Sequence, residues 1–186
     1  MGVNWAAGLI RWKPHVGEDG ATYPLHHLHP FRMPYELAAS DTHAGRILVL
    51  HIAFGLHTFT RRTRVDDPST DRYSDNREAR TFDRDRYQLS LSLPTITREL
   101  DRRPCQFARA QSGNINYVTV DLGQGVRYGV FFDLQRWQER GPDAVLLMVQ
   151  SAYELDVRKG EPGKGRITLK ALLGHTIRGT KPKRPP

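Results

Sequence analysis

The sequence predicts a single α+β domain. We expect a mostly antiparallel sheet of four or five strands, one helical segment packed on a face of that sheet, and a disordered basic C-terminal tail. Three patterns predict this class. Apolar residues alternate with period two over residues 46–60, recur at three- and four-residue spacing over residues 83–100, and flank a short glycine loop near residue 124. Strands and helices do not alternate, so a doubly wound parallel sheet is not expected.

The clearest strand covers residues 46–60. Its apolar positions on one face are Leu48, Leu50, Ile52, Phe54 and Leu56. Because both faces begin largely apolar, we expect a central strand that is covered on both sides. Gly55 is a candidate bulge. Residues 1–45 have no sustained period, and Pro30 and Pro34 favour an edge position for any extended segment among them.

The helical segment follows a polar, turn-rich stretch. Its apolar stripe consists of Leu89, Leu93, Ile96 and Leu100. Asp83 or Asp85 is suited to the N-cap, and Pro94 either kinks the helix or begins a second one. In the second half of the chain, residues 117–122 and 126–134 are predicted to form a hairpin, and residues 144–157 are predicted to form a further long strand.

The net charge of +8 is concentrated in the last 29 residues. Residues 158–186 contain nine lysines and arginines against one acid, so residues 1–157 are balanced. We therefore predict a near-neutral domain over residues 1–157 and a basic, largely flexible tail over residues 158–186, within which residues 167–173 are a candidate short helix or strand. Lys181, Lys183 and Arg184 are candidate contacts to RNA or DNA, and such binding depends steeply on salt. Docking on an acidic protein partner is the alternative.

Composition excludes several classes of protein. No run approaches the ~20 apolar residues of a membrane span, so no membrane partner is expected. The N-terminus is a poor signal peptide, and the single cysteine, Cys105, fits a reducing cytoplasm. The sequence has no P-loop and no G-x-S-x-G motif, so no cofactor is expected. The oligomeric state stays open.

Residues 57–80 are the predicted functional segment, because they form a polar loop at the end of a strand. The candidate catalytic residues are His57, Tyr73, Arg77 and Arg80, and the candidate nucleic-acid-binding residues are Arg61 and Arg62. Histidine transfers protons near neutral pH, and arginines hold phosphate and stabilise the charge that develops in a transition state. Arg77 and Arg80 would project from one side of a helical turn. In the alternative interpretation, both arginines pair with Asp71, Asp75 or Asp83 and are purely structural.

A histidine cluster and the single cysteine are two further candidate sites. His26, His27 and His29, with His51 or His57, are a candidate metal cluster, but the chain has no H-E-x-x-H and no C-x-x-C motif, so no metal is expected. Cys105 follows two arginines that would lower a thiol pKa, yet an inert cysteine at the end of a helix is the favoured interpretation.

Four stretches resemble a family of small uncharacterised bacterial proteins, some of which are labelled "stationary phase growth adaptation protein". They are YPLHHLHPF (23–31), LHTFTR (56–61), YSDNREARTFDRDRYQLSLSLP (73–94) and VQSAYELD (149–156). The resemblance spans residues 20–156. It implies a bacterial cytoplasmic protein from a stress, defence or mobile-element locus, and it transfers no catalytic residue.

Three functions are compatible with these patterns. The first is a toxin-like, metal-independent RNase that uses the His, Tyr and Arg residues of the loop. The second is a non-catalytic module that binds nucleic acid or a protein partner, and the third is an interaction protein that uses its sheet edges. The sequence leaves open whether the protein is an enzyme.

Overall fold

The computed structural model describes residues 10–41, 44–108, 116–160 and 162–183. The strands of this described part are β1 (His15–Val16), β2 (Thr22–Tyr23), β3 (Phe31–Leu37), β4 (Arg46–His57), β5 (Thr60–Arg61), β6 (Arg72–Ser74), β7 (Ala79–Phe82), β8 (Cys105–Ala108), β9 (Asn116–Asp121), β10 (Arg127–Arg136), β11 (Ala144–Glu154) and β12 (Gly163–Ile167). Its α-helices are α1 (Arg84–Ser90), α2 (Leu93–Arg98) and α3 (Leu169–Arg178).

Seven of these strands form one mixed sheet, in the order β12-β8-β9-β10-β11-β4-β3. Every neighbouring pair is antiparallel except β11 and β4, which run parallel with residues 144–149 opposite residues 49–54. The parallel pair lies inside the sheet and joins the β3–β4 hairpin to the β9–β10–β11 meander. Two smaller sheets, β5-β7-β6 and β1-β2, complete the described strands.

The central strand is confirmed as β4, and both of its faces are covered. One face contributes Leu48, Leu50, Ile52, Phe54 and Leu56 to the main core, which also contains apolar residues of α2 and α3. On the other face Ala53 packs with Met148 and Trp137 in a second cluster. Gly55 lies where the β4–β11 register shifts, and a Cβ there would come within 3.0 Å of the Gln150 carbonyl oxygen. Glycine is therefore required for this close approach of the two backbones.

The prediction of a four- or five-stranded α+β domain is wrong. The described part of the chain is mostly β, its main sheet has seven strands and is mixed, and its helices are short. The helical segment is two helices: Asp83 caps α1 by accepting from Arg86 N, and Pro94 occupies the first turn of α2. The last two strands at one end of the sheet, β8 and β12, have four and five residues and are too short to display a period in the sequence.

The prediction of a disordered tail is also wrong for residues 163–178. β12 pairs with β8 at one edge of the main sheet, and α3 inserts Leu169, Leu172 and Leu173 into the core. Thr168 caps the start of α3, and Gly179, with φ of 67°, ends it in the left-handed conformation. The basic side chains of this region point outward, so a charge count alone hides a short amphipathic helix.

The predicted β-hairpin of the second half is confirmed as β9 and β10, with Arg127 opposite Asp121. Its loop is left-handed throughout, with φ of 85° at Gly123, 52° at Gln124 and 80° at Gly125. No helix in the described residues is long and apolar enough to cross a membrane.

If α3 is part of the core, Leu173→Ala will destabilise the protein. Leu173 is fully buried, so its truncation leaves a cavity and should lower the free energy of unfolding by about 2–5 kcal/mol. Urea denaturation of the full chain measures this change. Lys170→Ala on the exposed side of the same helix is the matched control and should change stability by less than about 0.5 kcal/mol. Equal stability of the two variants would contradict the packing of α3.

Candidate functional site

The segment that follows β4 is a three-stranded sheet held by a tight turn. Thr58 and Thr60 are fully buried, and their hydroxyls donate to the carbonyl oxygens of Gly55 and Leu56. Arg86 of α1 donates from Nη1 to the carbonyl oxygens of His57 and Thr60 and packs over the ring of Tyr153. Burial lowers the pKa of Arg86. The end of β4 is therefore held both by the threonine hydroxyls and by Arg86.

His57, Glu78 and Arg80 form one hydrogen-bonded group, the His57–Glu78–Arg80 cluster. His57 Nε2 lies 2.6 Å from Glu78 Oε1, and Arg80 Nη1 lies 3.3 Å from Glu78 Oε2. Arg80 also donates from Nε to the Thr60 hydroxyl. Partial burial opposes ionisation of Glu78, but hydrogen bonds from His57 and Arg80 outweigh it and lower the pKa of this carboxyl. The carboxylate thus links an imidazole to a guanidinium.

Glu78 is placed by the turn between β6 and β7. The Asp75 carboxylate accepts hydrogen bonds from the backbone amides of Arg77 and Glu78, and the Asp75 amide donates to the Glu78 carbonyl. Sequence reasoning missed Glu78. The available signal was the spacing of Glu78 and Arg80, since residues two apart in a strand face the same side.

Arg77 pairs with Asp75 in the turn between β6 and β7. Its Nε and Nη2 lie 3.0 and 2.7 Å from Asp75 Oδ2. The prediction that Arg77 and Arg80 share one side of a helical turn is wrong, because the former lies in a turn and the latter in β7. The pairing with Asp75 is one of those expected under the structural interpretation.

Tyr73 lies opposite Arg80 across the β6–β7 pair, so the two residues share a face of the small sheet. The Tyr73 hydroxyl donates to the Lys13 carbonyl oxygen at 2.7 Å, and its ring packs edge-on against Phe59 and Trp12. Burial raises the pKa of this phenol. Tyr73 therefore ties the small sheet to the segment that precedes β1.

Arg61 lies on the opposite face of the small sheet, since it pairs with Thr81 while Thr60 pairs with Phe82. Its guanidinium makes a two-pronged contact with Asp67, whose carboxylate also accepts from the Thr81 hydroxyl. Together with the Arg64 amide, these donors hold the pKa of Asp67 well below its usual range. Arg61 is thus engaged within the sheet rather than directed at the His57–Glu78–Arg80 cluster.

The remaining predicted nucleic-acid contacts are exposed or lie outside the described residues. Arg62, Lys181 and Lys183 are exposed to solvent. Arg184 lies outside the described residues. No carboxylate is seen to pair with Arg62, Lys181 or Lys183 within the described part of the chain.

The histidines of the candidate metal cluster have other partners. His27 Nε2 lies 2.8 Å from the Ser90 hydroxyl, and His29 contacts both Arg11 and the Trp12 carbonyl oxygen. Across the residues described, no three His, Cys, Asp or Glu side chains are placed to hold a metal ion. Cys105 is fully buried, and burial raises the pKa of its thiol to about 12, which keeps it protonated.

The fold and the His57–Glu78–Arg80 cluster define a mostly β protein with a partly exposed imidazole–carboxylate pair at the end of a central strand. The model of the YjaZ family matches residues 13–177, so the chain belongs to the YjaZ family. This match supports the bacterial family resemblance noted above, but it does not confirm the label "stationary phase growth adaptation protein". No curated protein and no solved structure matches the chain.

The half-buried His27 should make stability depend on pH. Burial and the neighbouring His26 lower the pKa of His27 from 6.5 to about 4, so the folded state favours the neutral ring. Between these values the unfolded chain binds more protons, and stability is therefore full above about pH 6.5 and falls as the pH drops toward 4.

Replacement of His27 by glutamine should remove the contribution of this histidine to the pH dependence of stability. We expect the slope of the unfolding free energy between pH 6.5 and pH 4 to be shallower in His27→Gln than in the native chain, as measured by urea denaturation. The control is His175→Gln, which removes a histidine of α3 that does not contribute to the lowered pKa of His27. An unchanged slope in His27→Gln would show that other groups cause the acid sensitivity.

Proposed function

We propose that this protein is a small metal-independent RNase in which the His57–Glu78 pair transfers protons beside Arg80. The observation that carries the proposal is the 2.6 Å contact between His57 Nε2 and Glu78 Oε1. The side chains of His57 and Glu78 are 39% and 38% exposed, so a substrate can reach the ring. An imidazole oriented by a carboxylate is a common arrangement in acid–base catalysis.

The hydrogen bond to Glu78 determines which ring nitrogen is available. A carboxylate only accepts, so Nε2 carries the proton and Nδ1 of the neutral ring is left as the acceptor. No hydrogen bond to Nδ1 is seen from the described residues. Nδ1 is therefore the atom that would remove the proton from an RNA 2′-hydroxyl. Glu78 would then stabilise the imidazolium that forms.

The reaction needs no metal ion. The 2′-oxygen forms a bond to the adjacent phosphorus, the bond from phosphorus to the 5′-oxygen breaks, and the leaving oxygen takes a proton from imidazolium or water. The products are a 2′,3′-cyclic phosphate and a 5′-hydroxyl end. The positive charge of Arg80, whose side chain is 14% exposed, lies near the site where negative charge develops.

Tyr73 and Arg77 would join this mechanism only by giving up their present partners, the Lys13 carbonyl oxygen and the Asp75 carboxylate. We therefore assign the chemistry to His57, with Glu78 as the positioning residue. Arg62, Lys181 and Lys183 are the exposed cations that would contact the RNA backbone.

A second candidate function is a non-catalytic module that binds nucleic acid or a protein partner. It is favoured by the internal pairing of Arg61 and Arg77 with Asp67 and Asp75, which is typical of a structural network. In that case the exposed cations bind the partner, and the His57–Glu78 contact only fixes the end of β4.

Cleavage of labelled single-stranded RNA by the full chain in EDTA tests the RNase proposal. We expect the native chain to release 2′,3′-cyclic phosphate ends and to leave DNA of the same sequence intact, because DNA lacks the 2′-hydroxyl. His57→Ala should reduce the cleavage rate by about 10²–10⁴-fold without loss of RNA binding. Glu78→Gln should reduce the rate and change its pH profile, since the amide no longer stabilises the imidazolium.

His26→Ala is the matched control, because it removes an exposed histidine away from the His57–Glu78–Arg80 cluster. RNA binding without cleavage by the native chain would favour the binding module, and cleavage unaffected by His57→Ala would refute the assignment. The contribution of the C-terminus is tested by Lys181→Gln with Lys183→Gln. Deletion from residue 158 is unsuitable, because it removes the buried leucines of α3.

A further inference from the structure

A cationic pocket lies on the opposite side of β4 from the main core. Its volume is about 240 Å³, and it is lined by Arg11, Pro30, Phe31, Arg32, His51 and Arg140. We refer to these residues as the Arg11–Arg32–Arg140 pocket. The described lining thus includes three arginines and a histidine and has no acidic residue. The sequence pattern did not predict it, because these residues come from four separate stretches of the chain.

Regular structure positions two of the polar groups. Arg32 of β3 lies directly opposite His51 of β4 in the antiparallel register, so both side chains project from the same face of the sheet. His51 is partly buried and contacts the ring of Trp137 edge-on, with 4.9 Å between ring centroids. The His51 side of the pocket is therefore rigid.

The other two arginines reach the pocket from neighbouring turns. Arg140 ends a short 3-10 turn, and its guanidinium lies 5.1 Å from the Trp137 ring centroid. Arg11 precedes the buried Trp12, whose indole nitrogen donates to the Phe54 carbonyl oxygen, and Arg11 Nη1 lies 3.3 Å from His29 Nδ1. Stacking on an aromatic ring orients a guanidinium without neutralising its charge.

The arginines of this pocket differ from those of the small sheet in their partners. Arg61, Arg77 and Arg80 each contact a carboxylate. No carboxylate contact is seen for Arg11, Arg32 or Arg140 anywhere in the described ranges. The pKa of His51 is lowered by burial and then by Arg140 and Arg32, which is consistent with a net positive field in the pocket.

We infer that the Arg11–Arg32–Arg140 pocket binds a terminal phosphate group. Guanidinium groups pair with phosphate oxygens in a two-pronged geometry, and a doubly charged phosphate monoester offers oxygens to more than one arginine at once. The pocket is smaller than the roughly 300–1,000 Å³ typical of sites for drug-sized ligands, which favours a phosphate group over a whole nucleotide. This inference does not depend on RNase activity.

The first experiment measures binding of inorganic phosphate to the full chain by calorimetry at low ionic strength. Arg32→Gln and Arg140→Gln should each weaken binding at least about tenfold, the loss expected for one charged hydrogen-bonding partner. Both side chains are exposed, so these variants should retain the fold. Arg102→Gln is the matched control, since it removes an exposed arginine of the 3-10 turn that follows α2, and it should leave phosphate binding unchanged within about twofold.

A second arm compares short RNA with a 5′-phosphate and the same RNA with a 5′-hydroxyl. Tighter binding of the phosphorylated RNA that is lost in Arg140→Gln identifies a nucleic-acid end as the source of the phosphate. Equal binding of both RNAs, with Arg140-dependent binding of inorganic phosphate, supports a small phosphorylated molecule instead. If neither phosphate nor phosphorylated RNA binding depends on Arg32 or Arg140, the inference is overturned, whatever the result of the cleavage assay.

Discussion

The parallel pairing of β4 with β11 is the contact on which the rest of the structure depends. It is the seam between the β3–β4 hairpin and the β9–β10–β11 meander, and it places Ile52 opposite Leu147, both fully buried. A parallel pair has its faces covered and needs continuous apolar sequence, which both strands supply. Both proposed sites are built on β4, with His51 in its middle and His57 at its end, roughly 20 Å apart at ~3.3 Å per residue.

The arginines of this chain divide into two groups by the position of nearby acids. In the small sheet, Asp67 and Asp75 accept several hydrogen bonds each and hold Arg61 and Arg77 in place. Both carboxylates are buried and both guanidiniums are partly exposed, so each arginine compensates a buried negative charge and orders its turn. Around the Arg11–Arg32–Arg140 pocket no lining acid compensates the guanidiniums. The arginines that pair with carboxylates support the fold. The arginines of the pocket keep their positive charge and attract an anion.

Residue patterns predicted the parts of the fold that depend on local sequence. The period of β4, the left-handed glycine loop of the β9–β10 hairpin and the Asp83 cap of α1 all follow from a few consecutive residues. The mixed sheet was not predicted, because the register of β4 against β11 joins residues almost 100 positions apart. The order of α3 was predicted only in part, as a candidate short helix or strand over residues 167–173, because its three buried leucines are surrounded by basic residues. For the candidate site, residue patterns selected His57 and Arg80 but missed Glu78, for which the two-residue spacing from Arg80 was the available signal.

Asp75 and Glu78 lie beside the same turn but have different partners. The Asp75 carboxylate accepts hydrogen bonds from the backbone amides of the turn and has a structural role. Glu78 follows the turn and points toward the end of β4. There it contacts His57 and Arg80, whose side chains would otherwise be two neighbouring cations whenever the imidazole is protonated. A carboxylate between them balances their positive charge, and no hydrogen bond to His57 Nδ1 is seen from the described residues. The same geometry therefore stabilises the loop and is the basis of the role proposed for His57.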